Sequence, residues 1–272
     1  EGVGENTIDI ANASRRIRAS EIEACNAAGV NDIREIQIGF DGIVFATSAQ
    51  AGDFALEPVH VYKAIAAQVP VDGEMVDNPY TTWNEIDAAL PEQPIALAIP
   101  ASNHGTREVF QERVISVGCE EAGLPEMSEE ELEAACTSFR QDVVVEIAGD
   151  YTETLARLSS NQDTVGVFGL SFYEQNRDTL KVATVSGITP SLETVAAGEY
   201  PVSRPLFFYV KGEHIGSIPG LEEYVQFFLS DAMAGAGGTL EGAGLIPQPA
   251  DKTAAVIAAF EAGTPLTAAD VQ

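Results

Sequence analysis

The sequence predicts an α/β protein with mixed, mainly parallel sheets and flanking helices. Short apolar runs alternate with stretches of helical apolar spacing from one end of the chain to the other. This alternation is typical of parallel sheets whose faces are covered by helices. The 272 residues suffice for one large or two medium domains, and the sequence contains no internal repeat and no low-complexity linker. If the chain forms two lobes, strands must therefore cross between them.

The strands are predicted from apolar runs bounded by turn residues. They cover residues 7–13, 33–38, 43–47, 95–99, 142–147, 165–170, 181–185 and 201–210. Gly39–Gly42, between the second and third of these runs, is predicted to form a turn because a glycine stands at each end of it. The first residues, E-G-V-G-E-N-T, do not resemble the start of a domain.

The helices are predicted from apolar spacing and from their capping residues. They cover residues 20–29, 58–69, 82–90, 106–117, 128–136, 151–159, 191–198, 219–235 and 249–262. Several open on a Ser or Thr whose partner further along the first turn completes a capping-box pattern. These pairs are Ser20 with Glu23, Thr82 with Glu85, Ser128 with Glu131 and Ser191 with Thr194.

The charge of the chain excludes one large class of partner. Its 42 acidic and 14 basic residues give a formal net charge of −28. Nucleic acids are bound by basic side chains that replace the counterions of the phosphates, so we expect no nucleic-acid partner. A small anion is not excluded, because local dipoles and one well-placed Arg outweigh acidic groups beyond the screening length of about 10 Å. No apolar stretch of about 18 residues is present, so no membrane-spanning helix is predicted.

The three cysteines allow more than one interpretation. Cys119 and Cys136 flank an acidic segment and are spaced for a disulfide that closes one local loop. Cys25 is the third cysteine. The sequence shows no signal peptide, so the chain is either reduced and cytosolic or a mature exported protein. For any one of the cysteines, a role as a small buried apolar residue is equally open.

Polar residues suited to an anion follow several predicted strands. In open α/β sheets, ligands bind beyond the carboxyl ends of the strands. Ser14 and Arg15 come directly after the first predicted strand. A guanidinium offers an always-charged, bidentate donor to an oxyanion. The plainer alternative, a turn serine beside a surface ion pair, stays open.

Asp41 lies in the predicted turn Gly39–Gly42, where a carboxylate is usually a turn former. Beside a bound anion it has a more specific use. A carboxylate accepts a hydrogen bond from a protonated oxyanion and repels a fully ionised one, which favours hydrogen phosphate over sulfate.

A third strand end carries small and polar residues in a row. They are Ser102, Asn103, His104, Gly105 and Thr106. Gly105 permits close approach of the backbone, Thr106 adds a hydroxyl, and the first amides of the following helix attract an anion because they lack helical partners. His104 is a further possible donor. The alternative, that Thr106 is simply the N-cap of the helix, stays open.

The sequence contains no recognisable catalytic pattern. Ser102 and His104 are too close in the chain to declare a dyad, and no G-x-S-x-G elbow surrounds Ser102. His60 and His214 lack a paired acidic motif. Metal-ligand spacing, a dinucleotide fingerprint and a P-loop are missing from the sequence. We therefore expect anion binding rather than catalysis, with neither a cofactor nor a metal.

A series of motifs makes the chain resemble a known family. The motifs are D-I-A-N-A-S-R-R-I (9–17), I-G-F-D-G-I-V-F-A (38–46), T-W-N-E-I (82–86), P-A-S-N-H-G-T (100–106), V-G-V-F-G-L-S-F-Y (165–173) and Y-P-V-S-R-P-L-F-F-Y-V (200–210). Each is weak alone, but together and in this order they are similar to the substrate-binding protein of the high-affinity phosphate ABC transporter. The resemblance covers nearly the whole chain.

The resemblance implies a two-lobed periplasmic-binding-protein fold of type II. Phosphate would be held in the cleft between the lobes, and hinge bending would bury it. The first lobe would comprise residues 1–47 and 202–272, and the second residues 48–201, with crossings near Ile43–Thr47 and Tyr200–Phe208. The protein would be periplasmic or otherwise exported. It would deliver phosphate to an inner-membrane permease, and we expect a monomer.

The family's binding loop has the form Arg-x-x-Gly-Ser-Gly-Thr and falls on the segment from Pro100 to Thr106. Gly105 and Thr106 match the pattern. The family Ser becomes His104, and the family Arg falls on Pro100, which puts the usual Arg clamp in doubt.

Arg15 is the natural substitute for that clamp, and Asp41 would be the acidic group that reads the phosphate proton. The phosphate-binding set that we expect is Ser14, Arg15, Asp41, Ser102, Asn103, His104, Gly105 and Thr106.

Members of this family begin with a strand and a Thr-Gly-Ser-like loop, often followed closely by a Cys. Glu1 falls after that point in the pattern. We therefore expect a longer natural sequence to supply the first strand, one more binding loop and a Cys partner for Cys25.

Other functions stay open on the sequence alone. One is a binding protein for another tetrahedral oxyanion, such as sulfate or molybdate. A second is a phosphatase-like hydrolase that uses the same residues, and a third is a phosphate-sensing or adhesive surface protein.

Overall fold

A computed structural model describes residues 7–271. Residues 1–6, on which the prediction about the start of the chain rests, and Gln272 lie outside the described residues. The chain forms two compact units. The first unit comprises the described residues up to Asp41 together with those from Arg204 onward, and the second comprises Gly42–Ser203. Both units mix strands with helices, which confirms the predicted α/β fold class.

The strands in the described part of the chain are β1 (Ile10–Ala13), β2 (Ile33–Ser48), β3 (Ala55–Leu56), β4 (Gln68–Val71), β5 (Glu74–Asp77), β6 (Leu97–Pro100), β7 (Val144–Ile147), β8 (Val165–Gly169), β9 (Leu180–Val182), β10 (Thr184–Val185), β11 (Ser203–Lys211) and β12 (Ile246–Pro247). The α-helices are α1 (Ala19–Ala27), α2 (Pro58–Ile65), α3 (Trp83–Ile86), α4 (Gly105–Phe110), α5 (Ser116–Glu121), α6 (Glu129–Thr137), α7 (Tyr151–Ser160), α8 (Leu170–Gln175), α9 (Leu192–Ala196), α10 (Leu221–Phe228), α11 (Thr239–Gly242) and α12 (Ala250–Glu261). A π-helical turn at Gln111–Ile115 joins α4 to α5, and 3-10 turns lie at Gly212–His214 and Ala268–Val271.

In the first unit, antiparallel strands carry a core on each face. β1 pairs with β11, and β12 pairs with the first part of β2. Because side chains alternate along β11, Phe207 and Tyr209 pack on one face with Ile22 of α1. Phe208 and Val210 pack on the other face, against residues of α10 and α12. Because β1 pairs with β11, this packing also holds the end of β1, and Ser14 is the residue that follows it.

In the second unit, β6 lies between β8 and β7 and runs parallel to both. β8 pairs antiparallel with the second part of β2. Antiparallel pairs also join β2 to β9 and β4 to β5, so the sheets of the described residues are mixed as predicted but without the predicted excess of parallel pairs. The core includes Phe45 of β2 against Phe110 of α4, and Phe54 against Trp83, with ring centroids 6.3 and 5.4 Å apart respectively. Phe45 and Phe110 are fully buried, so α4, which begins at the corner after β6, is held against this core.

The predicted turn at Gly39–Gly42 is wrong, because β2 continues through it. Gly39 lies opposite Pro247 of β12, and β2 goes on to pair with β8. Strand pairing therefore overrides the local turn preference. Gly39 serves close packing instead, since a Cβ there would lie 2.5 Å from the carbonyl oxygen of Ile246. Asp41 is thus a strand residue.

Several helix boundaries also differ from the prediction; the predicted helices 82–90 and 219–235, for example, end early, at Ile86 and Phe228. The first helix begins at Ala19, and Glu21, not Glu23, accepts a hydrogen bond from the backbone amide of the N-cap, Arg18. The predicted helix 58–69 stops at Ile65, because the chain turns there into the β4–β5 hairpin.

The predicted disulfide between Cys119 and Cys136 is confirmed, with Cα atoms 5.6 Å apart. It joins α5 to α6. Cys119 is fully buried, whereas α6 contributes no buried residue. The covalent bond therefore secures a helix that has little packing of its own. Cys25 is partly buried against the core that contains Ile22.

Within residues 7–271, no helix is both long and apolar enough to cross a membrane.

Candidate functional site

Ser14 and Arg15 follow β1 directly, as predicted. The Arg15 side chain is 48% exposed. Its two terminal nitrogens donate to the Glu21 carboxylate at 2.9 and 2.7 Å, which makes a bidentate pair. This hydrogen-bonded guanidinium, helped by the backbone amide of Arg18, lowers the pKa of Glu21 to about 2. The surface ion pair that the sequence left open is therefore present.

Arg16 holds different partners from those of Arg15. Its Nε donates to Glu35 at 2.9 Å, and its Nη1 donates to the carbonyl oxygen of Asp270 at 2.8 Å. The hydrogen bond to Glu35 raises the pKa of Arg16. Arg16 therefore ties β2 to the C-terminal 3-10 turn.

Asp41 lies beside a cation that the sequence analysis missed. Its Oδ2 is 3.7 Å from Nε of Arg204 on β11, a distance within ion-pair range but too long for a hydrogen bond. Arg204 is buried, whereas the Asp41 side chain is 29% exposed. The sequence did carry a signal, because the charged residue Arg204 directly precedes the apolar run 205–210.

These two residues stand at the limits of the first unit. Asp41 is its last residue before the chain enters the second unit, and Arg204 is its first residue after the chain returns. The ion pair therefore links β2 and β11 at the points where both strands leave the first unit.

The stretch from Ser102 to Thr106 forms the corner between β6 and α4. Ser102 and Asn103 are exposed in a turn. The N-cap of α4 is His104 rather than Thr106. The Nδ1 atom of His104 accepts a hydrogen bond from the Thr106 amide at 3.2 Å. Gly105 is the first residue of α4.

Thr106 is 7% exposed, and its Oγ1 lies 2.5 Å from the phenol oxygen of Tyr151. Tyr151 is the first residue of α7. No local signal in the sequence predicts this contact, since the two residues are 45 positions apart. The parallel order of β8, β6 and β7 brings them together.

The family pattern has an Arg at the position of Pro100. In the structure, the side chain of Arg107 lies beside Pro100. The Nη1 of Arg107 donates to the Pro100 carbonyl and to the Glu146 carboxylate, both at 2.9 Å. The guanidinium also lies over the Phe139 ring, 5.2 Å from its centroid. A cation therefore stands at this corner, but Glu146 compensates its charge.

The other histidines serve the fold. His60 accepts the Glu57 amide at 3.1 Å, and Nδ1 of His214 lies 2.6 Å from Asp9. No group of three or more possible metal ligands occurs among residues 7–271.

The sequence profile described as "PBP superfamily domain" matches residues 3–232. The chain belongs to this superfamily. The finding agrees with the α/β architecture of both units and with the resemblance that the motifs predict, which is confirmed.

Individual relatives support the PBP-superfamily assignment. The chain is 26% identical over 246 residues to the phosphate-binding protein PstS of Staphylococcus epidermidis, covering 89% of this chain and 64% of that protein. It is 30% identical over 253 residues to protein SphX of a Synechocystis strain, covering 90% of this chain and 65% of that protein. The chain thus spans a little under two thirds of the length of these relatives.

Solved structures share the fold of this chain. One is described as a possible phosphate-binding protein from Planctomyces limnophilus. It superposes with a TM-score of 0.70 at 23% identity, covering 94% of this chain and 81% of that one. An ABC-type phosphate transport receptor from Vibrio cholerae gives a TM-score of 0.51 at 17% identity, covering 82% and 75%.

Proposed function

We propose that this PBP-superfamily chain binds inorganic phosphate and delivers it to the inner-membrane permease of an ABC transporter. The observation that carries the proposal is the match, over 89% of the chain, to relatives named phosphate-binding protein. On this proposal the protein is not an enzyme. It acts outside the cytoplasm, in the periplasm or after another form of export, as a monomer whose lobes are residues 1–47 with 202–272 and residues 48–201.

In the first unit, we assign phosphate contacts to Ser14, Arg15 and Asp41. Arg15 is accessible, and the fork that now holds Glu21 fits two oxygens of a phosphate in the same way. Asp41 would accept a hydrogen bond from the P–OH group of hydrogen phosphate and repel sulfate. Arg204, 3.7 Å away, compensates the charge of Asp41 and so keeps that carboxylate from opposing every anion.

In the second unit, we assign contacts to Ser102, Asn103, His104, Gly105 and Thr106. The helix they open continues through the π-helical turn to Glu121, so its aligned peptide dipoles favour an anion at this end. In the structure, the His104 ring accepts a hydrogen bond from the Thr106 amide. A phosphate oxygen that binds this amide replaces the ring as its acceptor.

Calorimetric titration of the chain with phosphate, and separately with sulfate, tests this function. We expect heat of binding with phosphate at micromolar concentrations and none with sulfate. Binding of sulfate or molybdate in place of phosphate would assign the chain to another oxyanion. An absence of heat with phosphate would overturn the proposal, and turnover of a chromogenic phosphoester would replace it with a hydrolase.

A further inference from the structure

The contact between Thr106 and Tyr151 joins two helix starts of the second unit. The two hydroxyl oxygens are 2.5 Å apart, and Thr106 is 7% exposed. Asp150, the residue before Tyr151, is the N-cap of α7 and accepts the Thr152 amide at 3.0 Å. The backbone of Tyr151 is therefore fixed at the start of α7, close to the start of α4.

Other aromatic rings surround the ring of Tyr151. Its centroid lies 5.2 Å from that of His104, 5.8 Å from that of Phe168 and 5.1 Å from that of Phe172. Phe168 and Phe172 stack on each other at an interplanar angle of 1°. The phenol oxygen also approaches Gly169, where an added Cβ would lie 3.1 Å from it. These contacts hold the hydroxyl of Tyr151 in one place.

The relative acidity of the two hydroxyls indicates which of them donates the hydrogen bond. Each hydroxyl has one proton to donate and can accept hydrogen bonds. A phenol, with a pKa near 10 in ordinary surroundings, is a stronger donor than an aliphatic alcohol. The favoured arrangement is therefore a hydrogen bond from Tyr151 to Thr106 Oγ1, which leaves the proton of Thr106 for another acceptor.

We propose that Tyr151 is a positioning residue for the anion, because it directs the proton of the Thr106 hydroxyl toward a phosphate oxygen at the start of α4. The inference rests on the proposed function of the chain. It goes beyond the binding set that the sequence predicts, since Tyr151 belongs to none of the motifs that carry the family resemblance. Tyr151 would not need to touch the anion itself.

Phosphate titrations of Tyr151→Phe, Thr106→Val and the double variant test this role. Tyr151→Phe keeps the ring contacts and removes only the hydroxyl, so we expect the native circular dichroism spectrum and roughly three- to tenfold weaker phosphate binding. Thr106→Val should weaken binding at least as much. Adding Tyr151→Phe to Thr106→Val should cause no further loss, because the hydroxyl that Tyr151 orients is already gone.

Tyr62→Phe is the matched control. Its hydroxyl donates to the Ala135 carbonyl at 3.3 Å in the same unit, and its loss should leave phosphate affinity unchanged. Thr106→Ser, which retains the hydroxyl, should lose less phosphate affinity than Thr106→Val.

Each other outcome has a distinct meaning. If Tyr151→Phe leaves phosphate affinity unchanged, the role of Tyr151 is overturned while phosphate binding stays in place. The same holds if Tyr151→Phe weakens binding equally in the unsubstituted chain and in the Thr106→Val variant. An unfolded Tyr151→Phe variant would assign the hydroxyl to folding and also overturn it. If the unsubstituted chain binds no phosphate, both the proposed function and this inference fail.

Discussion

The carboxylate of Asp41 and the guanidinium of Arg204 form an ion pair at 3.7 Å, where β2 and β11 pass out of the first unit. Arg204 is 5% exposed, so little water reaches its charge. Asp41 is more accessible and stands on the side of β2 where the second unit begins. The pair therefore ties the two strands together, and its carboxylate, that of Asp41, belongs to the proposed phosphate contacts.

Arg204→Met should destabilise the first unit. The change removes a buried cation and, with it, the ion pair to Asp41. Because Asp41 is partly exposed, we expect the free energy of unfolding to fall by about 1–3 kcal/mol. The urea midpoint of unfolding measures the loss. Arg177→Met is the matched control, because Arg177 pairs with Glu174 at the surface and should cost under about 0.5 kcal/mol. Equal losses in the two variants would contradict this prediction.

Asp41→Asn should weaken the discrimination against sulfate. The amide can donate to a fully ionised oxyanion, whereas the carboxylate repels it. Competition of sulfate against labelled phosphate gives the selectivity ratio for each protein. A ratio unchanged by the substitution would remove Asp41 from the proton-reading role.

Arg15→Ala should remove most phosphate binding. A truncated charge-assisted contact to an anion typically costs about 2–5 kcal/mol, and calorimetry measures this loss directly. Arg16→Ala is the control, because Arg16 is held by Glu35 and the Asp270 carbonyl and should leave affinity nearly unchanged. Normal binding by Arg15→Ala would place the clamp elsewhere.

Glu21→Gln should flatten the acid dependence of stability. The Arg15 guanidinium lowers the pKa of Glu21 to about 2 in the folded chain, below the ordinary value of 4.5. A lowered folded-state pKa means that the ionised group stabilises the fold above the ordinary pKa, and that this contribution is lost as the pH falls toward 2.

Thermal unfolding midpoints between about pH 5 and pH 2.5 test this sign. The unsubstituted chain should lose more stability over the interval than Glu21→Gln does. The difference is small because the pair is exposed to solvent. Parallel curves for the two proteins would show that the pair contributes nothing.

Loss of the Cys119–Cys136 bond should destabilise the second unit. The bond closes a loop with a sequence separation of 17, and a loop of this length is worth about 3 kcal/mol through the entropy of the unfolded chain. Cys119→Ser with Cys136→Ser, compared with the oxidised chain in urea, measures the loss. Cys25→Ser is the control for removal of a thiol, and a similar loss there would argue against the loop-closure explanation.

Local signals in the sequence predicted much of the fold. The capping boxes at Thr82, Ser128 and Ser191 each begin a helix in the structure, because the side chains that form them lie within one helical turn. The disulfide between Cys119 and Cys136 is likewise a short-range feature. The β4–β5 hairpin was missed, since its apolar residues continue the helical spacing of α2.

The ion-pair partners of side chains were harder to predict than the helices and strands. Arg15 binds Glu21, although Ser20 and Glu23 gave the clearer capping pattern in the sequence. Arg204 stood in an apolar stretch and was not connected with Asp41. Which charges meet depends on strand pairing between distant segments, and one sequence does not show that pairing.

By itself, the sequence determined the α/β class, the order of the family motifs and the strand ends at which Ser14 and Ser102 begin, because periodicity and capping act over a few residues. Only the tertiary structure decided that Asp41 lies on a continuous strand beside Arg204, and that Tyr151 meets Thr106. Ladder hydrogen bonds on both parts of β2 outweigh the turn preference of its glycines. The order of β8, β6 and β7 sets two helix starts side by side.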